Sequence, residues 1–117
     1  MTRTRLALVA AVAALALIVT AAAQAATPLI ATVGPGFTIT LTQGGKKVKT
    51  LKAGSYTVKI SDKSSIHNFH LKGPGVDKKT SVSGTGPTTW KLKLKKGTYK
   101  FVCDPHKAIM KGSFTVS

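Results

Sequence analysis

The stretch Cys103-Asp104-Pro105-His106-Lys107-Ala108-Ile109-Met110 holds the chain's only cysteine, one of its three histidines and its only methionine besides Met1. Each residue alone has an ordinary explanation, since a single cysteine packs as a small hydrophobe and a methionine fills gaps in a core. Together they are a thiolate former, an imidazole and a thioether, three metal donors graded in softness. The preceding segment from Gly97 to Cys103 alternates with period two, which puts Tyr99, Phe101 and Cys103 on one strand face and Lys100 and Val102 on the other. Cys103 therefore arrives at a strand end pointing the same way as the aromatic core. Pro105 then forces a turn, and His106 and Met110 follow in a loop that folds back over the thiol.

A second imidazole comes from Ser65-Ile66-His67-Asn68-Phe69-His70-Leu71. Alternation places His67 with Phe69 and Leu71 on the core face, and Asn68 with His70 on the opposite one. His67 is thus the inward histidine and His70 the outward one. A thiolate, two imidazoles and one weakly held thioether make the trigonal set with a long axial ligand that suits one copper ion moving between Cu(I) and Cu(II), a type 1 site. Structural zinc sites prefer four strong ligands, so the methionine argues for copper. The candidate metal ligands are His67, Cys103, His106 and Met110.

These side chains need a scaffold of strands. After residue 25 no amphipathic helical period appears. Segments rich in Val, Ile, Thr, Tyr and Phe alternate with Gly, Pro, Ser and Lys clusters. Strands are predicted near Leu29–Val33, Phe37–Thr42, Val48–Leu51, Ser55–Ser61, Asn68–Leu71, Thr88–Leu94, Thr98–Val102 and Gly112–Val116. Gln43-Gly44-Gly45-Lys46 reads as a hairpin turn. The glycine-rich segments Gly73-Pro74-Gly75 and Ser83-Gly84-Thr85-Gly86-Pro87 read as the ends of a looser connection. In WKLKLKK, Trp90, Leu92 and Leu94 face inward, while Lys91, Lys93 and Lys95 face water and discourage edge pairing. About eight short strands, each with one buried face, imply an all-β antiparallel sandwich or closed barrel.

Charge and the chain ends bound the setting. Arg3 and Arg5 precede the apolar run Leu6–Val19, and Ala23-Gln24-Ala25 follows, the order of a signal peptide spanning residues 1–25. No cysteine follows the run as a lipoprotein would require. Residues 26–117 then form one small domain with no stable membrane insertion after cleavage, exported to a periplasmic, extracellular or cell-surface location. Its single cysteine cannot close an internal disulfide. Net charge is +15, and still +13 once Arg3 and Arg5 are removed, with Asp62, Asp77 and Asp104 as the only acids. The remaining basic residues are all lysines spread along strands. With no arginine to grip bases or phosphates, nucleic acid is excluded as a partner.

Three stretches, His67-Asn68, the run GTYKFVCDPH and Met110 leading into KGSFTV, resemble the cupredoxins, the blue-copper family of plastocyanin, pseudoazurin and amicyanin. The resemblance covers nearly the whole domain. It implies a Greek-key β-sandwich, copper on His67, Cys103, His106 and Met110, and an Asn68 that hydrogen-bonds the cysteine loop. Cys103 and His106 are separated as in plastocyanin, whereas three residues lie between His106 and Met110, between amicyanin's two and plastocyanin's four. Val102 stands where plastocyanins tend to carry an aromatic, and the surface is basic where plant plastocyanins are acidic. The implied role is that of a monomeric electron carrier, not an enzyme, working between a redox donor and acceptor. The lysine excess predicts acidic partners. Copper sequestration or delivery without redox cycling is the alternative.

Overall fold

A computed structural model describes residues 11–16 and 26–117. The signal-peptide reading therefore lies, apart from residues 11–16, outside the described residues. Those six are exposed and carry neither helix nor strand.

The described residues form ten strands: β1 Leu29–Val33, β2 Ile39–Gln43, β3 Lys46–Lys47, β4 Thr50–Leu51, β5 Gly54–Asp62, β6 His70–Gly73, β7 Val76–Lys79, β8 Gly86–Leu94, β9 Gly97–Val102 and β10 Lys111–Val116. They make two five-stranded sheets, ordered β3-β2-β1-β5-β8 and β4-β10-β9-β6-β7, with chain crossovers between them. Both sheets are mixed. β1 runs parallel to β5, and β4 parallel to β10. The expectation of purely antiparallel sheets is corrected here, because chain crossing between layers brings two strands of equal direction together at each of these positions.

Local chemistry explains most elements. Gly44 and Gly45 both have positive φ (57° and 79°), the geometry of a two-residue hairpin turn between β2 and β3. β1 alternates buried and half-buried residues, and β8 buries Trp90 and Leu94 while Lys91 and Lys93 stay exposed. Of the strand expected at Val48–Leu51 only Thr50–Leu51 forms, as β4, while the preceding Lys46–Lys47 pairs as β3 in the other sheet. The region after Gly73 is not loose: Pro74-Gly75 is the turn of a tight hairpin that pairs β6 with β7. Strand β7 has a half-buried Val76 followed by three exposed charged residues, so it carries no apolar alternation to announce it.

The core fills the space between the sheets. Phe69 stacks on Phe101 with ring centroids 5.6 Å apart, and Tyr99 stacks on Phe114 at 5.2 Å. The Tyr99 hydroxyl accepts the Lys95 N–H at 2.9 Å and has the Lys95 and Pro74 carbonyls as acceptors at 2.9 and 3.0 Å. This pins the start of β9 to the β6–β7 turn. The strand that ends at the candidate site is therefore anchored at its far end.

Candidate metal centre

Cys103 follows β9 directly and is fully buried, as the alternation of Tyr99, Phe101 and Cys103 requires. The chain then makes one 3-10 turn, Asp104–His106, with Pro105 in its first turn. His106 N–H donates to the Cys103 carbonyl at 3.0 Å, and Met110 N–H to the His106 carbonyl at 2.9 Å. Cys103 N–H donates to the Met110 carbonyl at 3.0 Å, closing the loop where β10 begins. Met110 is fully buried, so cysteine, histidine and methionine meet at one end of the sandwich.

His67 is brought to them from before β6. It is fully buried, and its Nδ1 lies 3.7 Å from Cys103 Sγ and 3.1 Å from His106 Nδ1. His106 Nδ1 lies 3.5 Å from the sulfur. Bonds of about 2.0 Å from a metal to nitrogen and about 2.3 Å to sulfur are longer than half of each separation, so one ion fits among the three atoms. His67, Cys103 and His106 thus form a copper site of the type 1 kind in its donor chemistry.

Alternation identified the inward histidine, but the strand it assumed is shorter. His67, Asn68 and Phe69 are consecutive, all buried, and precede β6. Asn68 is not on the outer face. Its Nδ2 donates to Asp104 Oδ2 at 2.8 Å and to the Thr80 carbonyl at 3.2 Å, and its Oδ1 accepts Asp104 N–H at 2.8 Å. The asparagine implied by family resemblance to tie the cysteine loop does so through Asp104.

Several contributors escaped the sequence reading. Phe37 sits edge-on to both histidine rings, with centroids 5.4 Å from His67 and 5.0 Å from His106, yet is 56% exposed. It forms a partial lid. Gly34, with φ +70°, lets the backbone pass His67: a Cβ there would lie 3.2 Å from the ring's Cδ2. His70 is on the outer face but not free, since its Nδ1 contacts Asp104 Oδ1 at 2.8 Å and its Nε2 contacts Asp77 Oδ1 at 2.6 Å. An acid directly after the cysteine, in a chain with only three, was the available signal for Asp104.

The carboxyls respond accordingly. Burial acts to raise Asp104, but hydrogen bonds from His70 and Asn68 outweigh it and hold the group below the usual carboxylate range. Asp77 is lowered chiefly by its hydrogen bond to His70. Asp62 is pushed up by burial, only partly offset by Ser64 N–H and by His67. Among the described residues, Asp62 Oδ2 and His67 Nε2 are buried without a hydrogen-bond partner.

Solved structures share this fold. Reduced rusticyanin superposes with a TM-score of 0.56 at 24% identity, covering 76% of this chain and 77% of its own. Rusticyanin from Thiobacillus ferrooxidans gives 0.54 at 26% identity over 76% and 75% of the two chains. A further rusticyanin structure, described as a copper protein, gives 0.58 at 20% identity and 76% of each. No curated protein sequence matches significantly. The family model for the cupredoxin-like domain matches residues 8–116, nearly the whole chain, and the chain belongs to that family.

Proposed function

We propose that the chain is an exported mononuclear type 1 copper protein that carries single electrons between redox partners, with His67, Cys103, His106 and Met110 as ligands. The observation that carries this reading is the convergence of one thiol and two imidazole Nδ1 atoms within 3.1–3.7 Å at a buried core edge, with the chain's one internal methionine closing the same loop. Copper bound there would supply a centre that accepts and returns one electron. Three of the ligands are fully buried and arrive from the ends of packed strands, so the protein resists rearranging its donors. Filled ligand positions leave no place for a substrate, which supports a carrier over an enzyme.

Only His106 among the four is partly exposed, which makes its ring edge the electron's route to the surface. Phe37 covers that ring, while Pro105, Ala108 and the 64% exposed Ile109 give the loop an apolar contact surface. Lys107 adds positive charge beside it, and with the lysine excess this favours an acidic redox partner. Residues 1–25 act as a cleaved signal and residues 26–117 as the copper domain, working outside the cytoplasm as a monomer. No helix among the described residues is long and apolar enough to cross a membrane.

Absorption spectroscopy of the copper-loaded protein tests the reading. An intense blue thiolate-to-Cu(II) band that bleaches and returns on reduction and reoxidation is expected. Stoichiometric binding of copper without that band would overturn electron transfer in favour of copper sequestration or delivery.

A further inference from the structure

We infer that His70 is a positioning residue for the ligand loop, clamped between Asp77 on β7 and Asp104 beside Cys103. What the loop is held to do rests on the copper reading above; the clamp itself rests on contacts. Among the described residues, the two close contacts between a basic side chain and a carboxylate both belong to His70. The sixteen lysines dominate this surface, yet two of the three acids pair with a histidine instead. That is selective pairing, not the average behaviour of a basic coat.

The geometry accounts for the selection. β6 lies between β9 and β7 in its sheet, so an outward side chain at its first residue has the loop leaving β9 on one side and β7 on the other. Both ring nitrogens of His70 are used, one on each carboxylate, which fixes the ring plane. The two contacts differ in weight. The side chains of His70 and Asp104 are 13% and 27% exposed, whereas that of Asp77 is 67% exposed. The Asp104 contact is thus the sheltered, stronger one, and Asp77 orients the ring.

Asp104 passes the constraint inward. Its Oδ1 takes His70, its Oδ2 takes Asn68, and its N–H donates to Asn68. Asn68 follows His67, and Asp104 separates Cys103 from Pro105 and His106. One chain of contacts therefore runs from β7 through His70 to the residues that directly follow two of the ligands, His67 and Cys103. The 3-10 turn that carries His106 is a single turn without a side-chain cap, so it has little rigidity of its own.

Amide hydrogen exchange on the copper-free protein tests this, comparing His70→Phe, which keeps a ring and loses both contacts, with His70→Gln, which keeps an N–H donor. In His70→Phe the amides of Asp104 and His106 should exchange about tenfold faster, the worth of one charge-assisted hydrogen bond, while the Ile60 amide in the opposite sheet is unchanged. His70→Gln should recover part of that protection, and the blue band of the copper-loaded His70→Phe protein should shift from wild type. Loop amides at wild-type rates in folded His70→Phe, or faster exchange spread evenly over both sheets, would overturn the clamp. Should His70→Phe fail to fold, Asp77→Asn at its exposed site is read by the same amides: about threefold acceleration at Asp104 supports the clamp and none refutes it. A colourless wild type counts against the copper reading alone, and the exchange result still judges the clamp.

Discussion

Asn68→Asp is nearly isosteric and changes only the Nδ2 position, which faces Asp104 Oδ2 and the Thr80 carbonyl. In the native protein Asn68 Nδ2 donates to Asp104 Oδ2 at 2.8 Å, with Asn68 1% exposed. The substitution replaces that donor with a carboxylate oxygen. Two unit charges 2.8 Å apart at an effective dielectric of about 20 repel by roughly 6 kcal/mol. Protonating one carboxyl at pH 7 from an ordinary value near 3.9 costs only about 4 kcal/mol, so the folded variant takes up a proton. The loss at neutral pH is therefore about 4 kcal/mol, a large share of the 5–15 kcal/mol typical of a domain.

The sign with pH follows. The carboxyl pair is raised in the folded state, so the variant is least penalised below the unfolded value and loses about 1.4 kcal/mol for each unit that pH rises above roughly 4. Asn68→Ala is the control. It abandons the Asp104 N–H and the Thr80 carbonyl and should cost about 2–4 kcal/mol with little pH dependence. Urea denaturation of the copper-free proteins at about pH 7 and pH 4.5 reads both, each against wild type at the same pH. If the Asn68→Asp penalty were the same at the two pH values, the amide would not face the carboxylate in solution and the bridge between the His67 segment and the cysteine loop would be wrong.

Cys103→Ser should remove the blue band of the copper-loaded protein while circular dichroism reports an unchanged sandwich, because the sulfur supplies the charge transfer and the core supplies the fold. Met110→Leu should keep copper and raise the reduction potential measured by voltammetry, since losing a weak axial donor disfavours Cu(II) more than Cu(I); an unchanged potential would reduce Met110 to packing. Gly112→Ala should lower stability by about 1–3 kcal/mol in thermal melts without moving the band, since its Cβ would overlap the Phe101 ring. Asp77 and Asp104 sit below the usual carboxylate range, so the stability they contribute is complete above their unfolded value of about 3.9 and is lost as pH falls through their folded values. An Asp77→Asn, Asp104→Asn double variant of the copper-free protein should show a flatter acid limb in urea titrations.

The donor types were legible because three of them crowd into one loop, and the all-β class because each strand with a buried face repeats with period two. The supports were less so. Alternation says which way a residue points only while the chain remains a strand, and it fails at His67-Asn68-Phe69, where the segment crosses the end of the sandwich and all three side chains go inward. Nor does it name partners: Asn68 and Asp104 are 36 residues apart, His70 and Asp104 34. The strand hardest to read, β7, is also the one that brings Asp77 to His70. As an edge strand with Asp77, Lys78 and Lys79 all exposed, it is shaped by solubility and by the need to discourage further pairing, and so resembles a loop. The same polarity that hides it lets a carboxylate stand beside an outward histidine. His70 looks like a solvated residue when β7 is read as loop, and becomes the outer anchor of the ligand loop once β7 is paired.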